Sequence, residues 1–194
     1  MAYKEQLSEY LEWFEDLSKE DLDKLFKLAT YKTIKAGELY VDLNSERRKI
    51  AYLQKGIMRS YYIREDGEEI TSQFRWEKHI IGSFEVLLEK KPSSLIIQAL
   101  EDCEFWEIDF DVFQNFMEEN PKFEKAKEKI LHQLIIYYHK RIKSFIINTP
   151  EERYEQLLQE GMLANRVQDK YIASFLGVTP VSLSRIRKRI SKKS

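Results

Sequence analysis

A two-helix pattern near the C-terminus restricts the fold of this chain more than any other feature of the sequence. In the stretch YIASFLGVTPVSLSRIRKRI, residues 171–190, Gly177 separates two segments with helical apolar periodicity. Thr179 can cap the second segment, and Pro180 occupies its first helical position, where a missing N–H costs nothing. Small Ala173 lets another helix approach the first segment closely. This combination predicts a helix-turn-helix.

The second helix of this pattern has one apolar face and one polar, basic face. Leu183, Ile186 and Ile190 recur at spacings of three and four, and together with Ile172 and Leu176 they are expected to face a core. An α-helix fits the major groove of B-DNA, where residues near its N-terminus reach base edges and later cations meet phosphates. The predicted DNA-binding residues are Thr179, Val181, Ser182, Ser184, Arg185, Lys188 and Arg189.

The charge of the chain is distributed unevenly along its length. The whole sequence has a net charge of -1, but residues 168–194 carry seven cations against one acid, Asp169, and hence +6. A basic end on a nearly neutral chain indicates a polyanionic partner, and nucleic acid is favoured over a membrane because no broad apolar face accompanies the charge. The alternative is a solvated basic helix end. Arg187 is expected at the flank of the basic face.

The first two thirds of the chain change from helical to strand periodicity. Residues 3–29 predict packing helices, with Ser18 as an N-cap and Asp21 three residues later. From residue 31 to 109, short alternating or β-branched runs separated by turns predict an all-β region of about eight strands. The stretch REDGEE, residues 64–69, is the clearest hairpin signal because Asp-Gly supplies the positive φ angles of a tight turn. A short helix is expected to follow.

A long helix is expected from Pro121 to about Asn148, because this segment contains no further Gly or Pro and Asn120 can cap its start. Its apolar residues spread over more than one face, so one stripe can pack on its own domain and another on a second copy. The alternative is a helix inside one large core. The predicted homodimer seam is Leu131, Leu134, Tyr138 and Phe145.

Other classes of protein are disfavoured by composition. No run of eighteen or more apolar residues exists, and the N-terminus lacks a signal pattern, so no membrane partner and a cytoplasmic location are expected. The single Cys103 excludes an internal disulfide and is expected to be a small buried apolar residue. The three histidines have no nucleophile pattern nearby, and no phosphate-cradling Gly loop is present. No enzyme activity, cofactor or metal site is expected.

The order of parts, a β-roll, a long helix and a C-terminal helix-turn-helix, resembles the Crp/Fnr family of bacterial transcription regulators over nearly the whole chain. KAGELY, AYLQKG and REDGEE are similar to the family's early turn, its strand ending in Lys-Gly and its hairpin. The resemblance implies an α+β fold with a cyclic-nucleotide-binding-like jelly roll, or double-stranded β-helix. It also implies a sensor domain over residues 1–119, a dimerisation helix over 120–148 and a DNA-binding domain over 149–194.

The stretch IIGSFEVLLEKKPSSLIIQALEDCE lies where the family's phosphate-binding cassette is expected. Nucleotide-binding members have Gly-Glu at its start and later an Arg-Ser or Arg-Ala pair, whose Arg pairs with the cyclic phosphate. Here Gly82 is followed by Ser83, and Ser93 holds the Arg position, followed by Ser94. A buried phosphate without a cation is costly, so we expect the fold without cyclic-nucleotide chemistry. Glu85 is either a displaced substitute for the missing Glu or, as we prefer, a surface residue.

The resemblance implies a dimeric DNA-binding transcription regulator whose partners are double-stranded DNA, a second copy, RNA polymerase and an unidentified small-molecule effector. The family's iron-sulfur variants need several N-terminal cysteines, and haem-sensing members use histidine, for which His79 is the candidate here; a structural role is preferred for it. Only SKKS follows Ile190, so DNA contact is expected from the helix and its basic tail rather than a β wing. Two alternatives are a ligand-binding module whose helices meet protein, and an enzyme.

Overall fold

The structure, a computed structural model, describes residues 18–159 and 166–192. The predicted helix at residues 3–17 lies outside this part of the chain. In the described residues the α-helices are α1 (Lys19–Lys27), α2 (Phe110–Glu119), α3 (Glu124–Ile147), α4 (Pro150–Gln159), α5 (Asp169–Leu176) and α6 (Pro180–Ile190). The strands are β1 (Thr30–Ile34), β2 (Leu39–Val41), β3 (Lys49–Lys55), β4 (Met58–Ile63), β5 (Glu69–Arg75), β6 (Ile80–Ile81), β7 (Ile96–Ala99) and β8 (Cys103–Asp109).

The strands form two four-stranded sheets, in the orders β1-β8-β3-β6 and β2-β7-β4-β5. The first sheet is antiparallel, with Tyr31 opposite Trp106 and Leu53 opposite Phe105, and a bulge follows Leu53 in β3. The expected eight strands are therefore present in the described residues, and the predicted α+β class, an antiparallel β-sandwich followed by helices, is confirmed.

The sandwich is closed by apolar side chains from both sheets. Burial alternates along β8, so that Cys103, Phe105 and Glu107 point to one face. Cys103 is confirmed as a buried residue, while buried Glu107 is held by the side chains of Lys32, at 2.8 Å, and Arg47, at 2.6 Å. The buried cluster comprises Tyr40, Val41, Ala51, Leu53, Met58, Ile81, Ile97, Ala99, Cys103 and Phe105.

Helix α1 starts at the predicted cap. The Ser18 hydroxyl accepts the Asp21 N–H at 3.2 Å, and the Asp21 side chain accepts the Ser18 N–H at 3.3 Å, which completes a capping box. A second apolar cluster then joins α1 to β8, α2 and the start of α3. Its buried members are Leu22, Leu25, Ile108, Met117, Phe123 and Ala126.

Two turns differ in detail from expectation. The REDGEE hairpin is present, but only Gly67 in it has positive φ, at 83°; the Asp66 side chain instead accepts the Glu68 N–H at 3.0 Å. The expected capping role of Asn120 is wrong, because its Nδ2 donates to the Phe116 carbonyl at 2.7 Å and closes α2. The long helix therefore begins with a 3₁₀ turn, Pro121–Phe123, before α3.

Contacts divide the chain into two compact units. Among the described residues, one contains 18–60 together with 74–134, and the other contains 61–73 together with 135–159 and 166–192. In the second unit, Ser174 of α5 holds the hairpin end of β5: its Oγ accepts the Thr71 N–H at 2.9 Å and donates to the Glu69 carbonyl at 3.0 Å. The three-segment division drawn from the sequence stays a prediction. None of the helices in residues 18–159 and 166–192 is long and apolar enough to cross a membrane.

Candidate nucleic-acid interface and ligand cassette

Helices α5 and α6 are joined by the predicted turn. Gly177 adopts a left-handed conformation with φ of 69°, and a Cβ there would lie 3.0 Å from the Phe145 ring, so both backbone and space favour glycine. Thr179 is extended and its Oγ1 accepts the Ser182 N–H at 3.2 Å, while Pro180 begins α6. The helix-turn-helix geometry predicted from these residues is confirmed.

The inner faces of the two helices are buried as their periodicity predicts. Ile172, Ala173 and Leu176 of α5 are fully buried, as is Leu183 of α6, and Ile186 is nearly so. Because the apolar face of α6 is buried in the core, the opposite face of the helix is exposed to solvent. The helix cannot rotate to present other residues without exposing this apolar core.

The outer face of α6 carries most of the predicted DNA-binding residues. Val181 is 63% exposed, and Ser184, Arg185 and Lys188 are also exposed. The hydroxyls of Thr179 and Ser182 lie 3.0 Å apart and belong to the helix cap. An open groove of about 820 Å³ runs along this side of the second unit; it is lined by Thr149, Pro150, Glu151, Val178, Ser182, Arg185, Ile186, Lys188 and Arg189.

Two arginines of α6 are already engaged within the second unit. Arg187 donates to the Tyr154 hydroxyl at 2.9 Å and pairs with Asp169 at 2.7 Å, so it fixes α6 to α4 and α5. Arg189, predicted to contact DNA, pairs through Nε with the Glu151 carboxylate at 2.6 Å. Neither the Arg187–Tyr154 bond nor the Arg189–Glu151 pair could be predicted from local spacing, because Tyr154 and Glu151 lie more than thirty residues earlier.

The predicted dimer seam divides into two kinds of residue. On α3, Leu131 and Tyr138 are exposed, whereas Leu134 is half-buried. The guanidinium groups of Arg141 and Arg153 both contact the Phe145 ring, at 4.5 and 4.7 Å from its centroid. Phe145 therefore packs within the second unit, although part of its ring remains exposed.

Other apolar residues of α3 are more exposed than the predicted seam. Ile135 is 65% exposed and Ile142 is 61% exposed. Leu131, Ile135, Tyr138 and Ile142 follow one another at spacings of four, three and four. At 3.6 residues per turn they fall within an arc of about 60° on the helix. Sequence reasoning missed the two isoleucines because the whole helix is apolar on several faces.

The cassette residues are bonded to one another. The hydroxyls of Ser83 and Ser93, both buried, lie 2.8 Å apart, and Ser93 Oγ is also 2.8 Å from the Leu95 carbonyl oxygen. Glu85 accepts both the N–H and the hydroxyl of Ser94, each at 2.6 Å. Glu85 is partly exposed, and its carboxylate joins the two ends of the cassette loop through Ser94.

Gly82 packs closely against the buried Leu87 side chain where the cassette begins. A Cβ on Gly82 would lie 2.7 Å from Leu87 Cδ1, closer than real contacts allow. The turn Glu85–Glu89 that follows is a π-helix ending at Lys90 in a left-handed conformation. The predicted position of Gly82 at the start of the cassette thus has a packing reason that needs no bound ligand.

Two arginines of the β-sandwich unit were not singled out from the sequence. Arg48 donates through Nη1 to the carbonyls of Val86 and Leu87, at 2.6 and 2.8 Å, and forms an ion pair with Asp111 at 2.7 Å. The hydrogen bond from Arg48 to the Asp111 carboxylate, together with the positive charge of Arg48, lowers the pKa of Asp111. Arg59 of β4 is buried, and its Nε and Nη2 donate to Gln98 Oε1 at 3.2 and 3.0 Å.

His79 is packed as part of the sandwich unit. Its ring centroid is 4.2 Å from that of Trp76, and Nδ1 lies 3.2 Å from the Trp76 carbonyl oxygen. The pKa of His79 is lowered, mainly because burial disfavours the charged, protonated form of the ring. Burial likewise raises the pKa of Cys103 to about 12. Among the described residues, no group of three or more His, Cys, Asp or Glu side chains is arranged to hold a metal ion.

The chain is similar to a known sequence family and to named regulators. Residues 31–120 match the family described as Cyclic nucleotide-binding domain. The anaerobic regulatory protein of Aggregatibacter actinomycetemcomitans is 23% identical, over 91% of this chain and 73% of that protein. The fumarate and nitrate reduction regulatory protein of Vibrio cholerae is 22% identical, over 91% and 75%. These relatives are regulators by name rather than enzymes.

Solved structures share the fold. FixK2 from Bradyrhizobium japonicum superposes with a TM-score of 0.73 at 17% identity, over 85% of each chain. A CooA mutant from Carboxydothermus hydrogenoformans gives 0.70 at 20% identity, over 88% of this chain and 79% of that one. The c-di-GMP responsive regulator CLP of Xanthomonas campestris gives 0.72 at 13%, over 91% and 93%. With its β-sandwich, long helix and helix-turn-helix in this order, the chain is similar to regulators of the Crp/Fnr type.

Proposed function

We propose that this chain is a transcription regulator that reads double-stranded DNA with α6. The observation that carries the proposal is the outer face of α6, where Val181, Ser184, Arg185 and Lys188 are exposed while Leu183 is buried beneath them. A rigid helix with small, polar and cationic side chains on one face suits the major groove. The regulator names of the relatives support the same role.

Different residues of α6 have different roles in this proposal. Arg185 lies in the second turn, where a guanidinium can donate two hydrogen bonds to guanine O6 and N7. Val181 and Ser184 approach neighbouring base edges, and Lys188 reaches the phosphates, since it lies nearer the helix end. No chemical step is involved, and we assign no enzyme activity. RNA polymerase is the further partner, and the cytoplasm is the proposed location because the DNA partner is there.

A binding titration with matched variants tests the electrostatic part of this role. Fluorescence anisotropy of a labelled duplex is measured over a range of salt concentrations for the wild type, Lys188→Ala and Lys27→Ala. Both variants lose one exposed cation, but Lys27 lies on α1. Loss of one phosphate contact lowers the log–log salt slope by about 0.9, and we expect this for Lys188→Ala alone. Equal slopes for the two variants would contradict the placement of DNA on α6.

The active form is proposed to be a homodimer formed through α3. One recognition helix reads few base pairs, whereas two related by a two-fold axis meet successive major grooves about 34 Å apart. The exposed apolar stripe of Leu131, Ile135, Tyr138 and Ile142 supports this assignment, because heptad-like spacing along one helix is the pattern of a two-stranded coiled coil.

We also propose that cyclic AMP and cyclic GMP do not bind in the physiological range. The Ser83–Ser93 and Glu85–Ser94 hydrogen bonds occupy the cassette's own polar groups, and Ser93 offers no cation to a phosphate. Losing a charge-assisted contact while burying the phosphate costs several kcal/mol, enough to turn micromolar affinity into millimolar.

Isothermal titration of the full chain with each cyclic nucleotide tests the proposal on the cassette. We expect no heat of binding at micromolar concentrations. The double variant Ser83→Glu with Ser93→Arg restores the two family residues at these positions, and binding by it would support the alignment. A micromolar dissociation constant for the wild type would overturn the proposal and would make buried Arg59 the first residue to substitute.

A further inference from the structure

The groove beside α6 contains an acidic side chain as well as basic ones. Among the described residues that line it, Glu151 is the single acid, and Arg185, Lys188 and Arg189 are the cations. Its carboxylate lies 2.6 Å from Arg189 Nε. Glu151 is held on the first turn of α4, and its side chain is 27% exposed, whereas that of Arg189 is 61% exposed. The acid is therefore the more fixed partner of this pair.

A guanidinium that is paired with a carboxylate uses the same donors that would bind a phosphate. Arginine forms charge-assisted hydrogen bonds to both groups with similar geometry. The pair uses Nε of Arg189, so a phosphate contact through that donor requires it to open, and the Glu151 carboxylate offsets the positive charge of Arg189 and repels nearby phosphates. Arg185 and Lys188 have no such partner among the described residues.

We propose that Glu151 withholds Arg189 from DNA, so that the chain binds DNA of any sequence less tightly than its basic helix would otherwise allow. This inference rests on the proposed function. Because a phosphate contact carries no sequence information, withholding it lowers affinity for specific and random DNA by the same factor. Recognition of a particular site then depends more on Arg185, which faces the bases in the proposed complex.

Glu151→Gln tests this inference, and Glu155→Gln is its matched control. Both substitutions remove one negative charge from α4, but Glu155 is exposed one turn further on and lies outside the groove. The affinities of the full chain for a duplex that the wild type prefers and for a random duplex are measured at fixed salt. We expect Glu151→Gln to bind both about two- to fivefold more tightly, the range of an exposed ion pair, and Glu155→Gln to bind as the wild type does.

Arg189→Ala completes the cycle. In the wild-type background it leaves the Glu151 carboxylate unpaired near the phosphates and should lower affinity for both duplexes alike, and in the Glu151→Gln background it should remove the whole gain. The inference is overturned if Glu151→Gln gives no gain, if Glu155→Gln gives the same gain, or if the gain survives Arg189→Ala. If the wild type and all variants fail to bind DNA, the proposed function itself is wrong. If all of them bind DNA equally, only the inference about Glu151 is wrong.

Discussion

Four basic residues within one and a half turns of α6 have three different environments. Arg185 and Lys188 extend into solvent, Arg187 is tied to Tyr154 and Asp169, and Arg189 is tied to Glu151. Only Arg185 and Lys188 are both exposed and without an ion-pair partner among the described residues. A count of positive charges on this helix therefore overstates the number that can contact DNA at no cost.

Arg185→Ala should reduce discrimination between specific and random DNA. A bidentate contact to guanine contributes about 1 to 3 kcal/mol of discrimination, and alanine removes both donors. Affinities for a preferred duplex and a random duplex, measured at one salt concentration, give the ratio. A ratio that does not change on substitution would show that Arg185 does not read a base.

Arg187→Ala should lower stability instead. The side chain of Arg187 is 31% exposed and bonds the hydroxyl of buried Tyr154, so its loss should cost about 1 to 2 kcal/mol of unfolding free energy. Lys188→Ala, the adjacent substitution, should leave the unfolding free energy unchanged because Lys188 is exposed. Denaturant unfolding of the two variants compares them; equal stability would contradict the role of Arg187 as a clamp.

The residues that could be predicted from sequence are those with a local backbone requirement. Gly177, Thr179 and Pro180 each serve a turn or cap that is defined by their immediate neighbours, and all three were predicted correctly. The partners of Arg187 and Arg189 could not be predicted, because they come from α4 and α5 and depend on how three helices pack. Local chemistry is visible in one sequence, whereas long-range pairing is not.

At the scale of elements, the end of the β4–β5 hairpin is bonded to the first helix of the helix-turn-helix. The Ser174 hydroxyl accepts a hydrogen bond from the Thr71 N–H and donates one to the Glu69 carbonyl. Both groups belong to β5, an edge strand of its sheet. Edge strands leave such backbone groups without a ladder partner, and a side chain that satisfies two of them fixes the strand in place.

Ser174→Ala should loosen this hairpin without unfolding the helices. The loss of the hydrogen bond from the Thr71 N–H costs about 1 kcal/mol, which corresponds to roughly fivefold faster hydrogen exchange at that amide. Ser184→Ala, which removes an exposed serine from α6, is the control. Exchange at residues 69–73 that is as slow in Ser174→Ala as in the control would contradict the contact.

Helices and strands with a clear hydrophobic period could be predicted from the sequence, whereas the hydrogen bonds across the cassette loop could not. Alternation along the strands and the Gly-free run of α3 are properties of continuous sequence, and both gave the correct element type. The Glu85–Ser94 and Ser83–Ser93 bonds join residues across a loop with a π-helical turn. Such a loop has no period, so the sequence does not show which of its polar groups bond to one another.

At the scale of the whole molecule, the proposed dimer depends on the exposed stripe of α3. Ile142→Glu places a charge at the C-terminal end of this stripe and should give monomers, because burying an unpaired carboxylate is costly. Lys140→Glu introduces the same side chain on the opposite side of the helix and should leave the dimer intact. Analytical ultracentrifugation distinguishes the two, and a dimer of Ile142→Glu would place the interface elsewhere.

The central claim, that this chain reads DNA as a two-fold dimer with α6, is tested most directly by selection from a library of random duplexes. The full-length wild type should enrich a sequence with two-fold symmetry, whose half-sites lie about one helical turn apart so that both α6 helices meet successive major grooves. A library that leaves the selection with no sequence enriched over the starting pool would contradict the account.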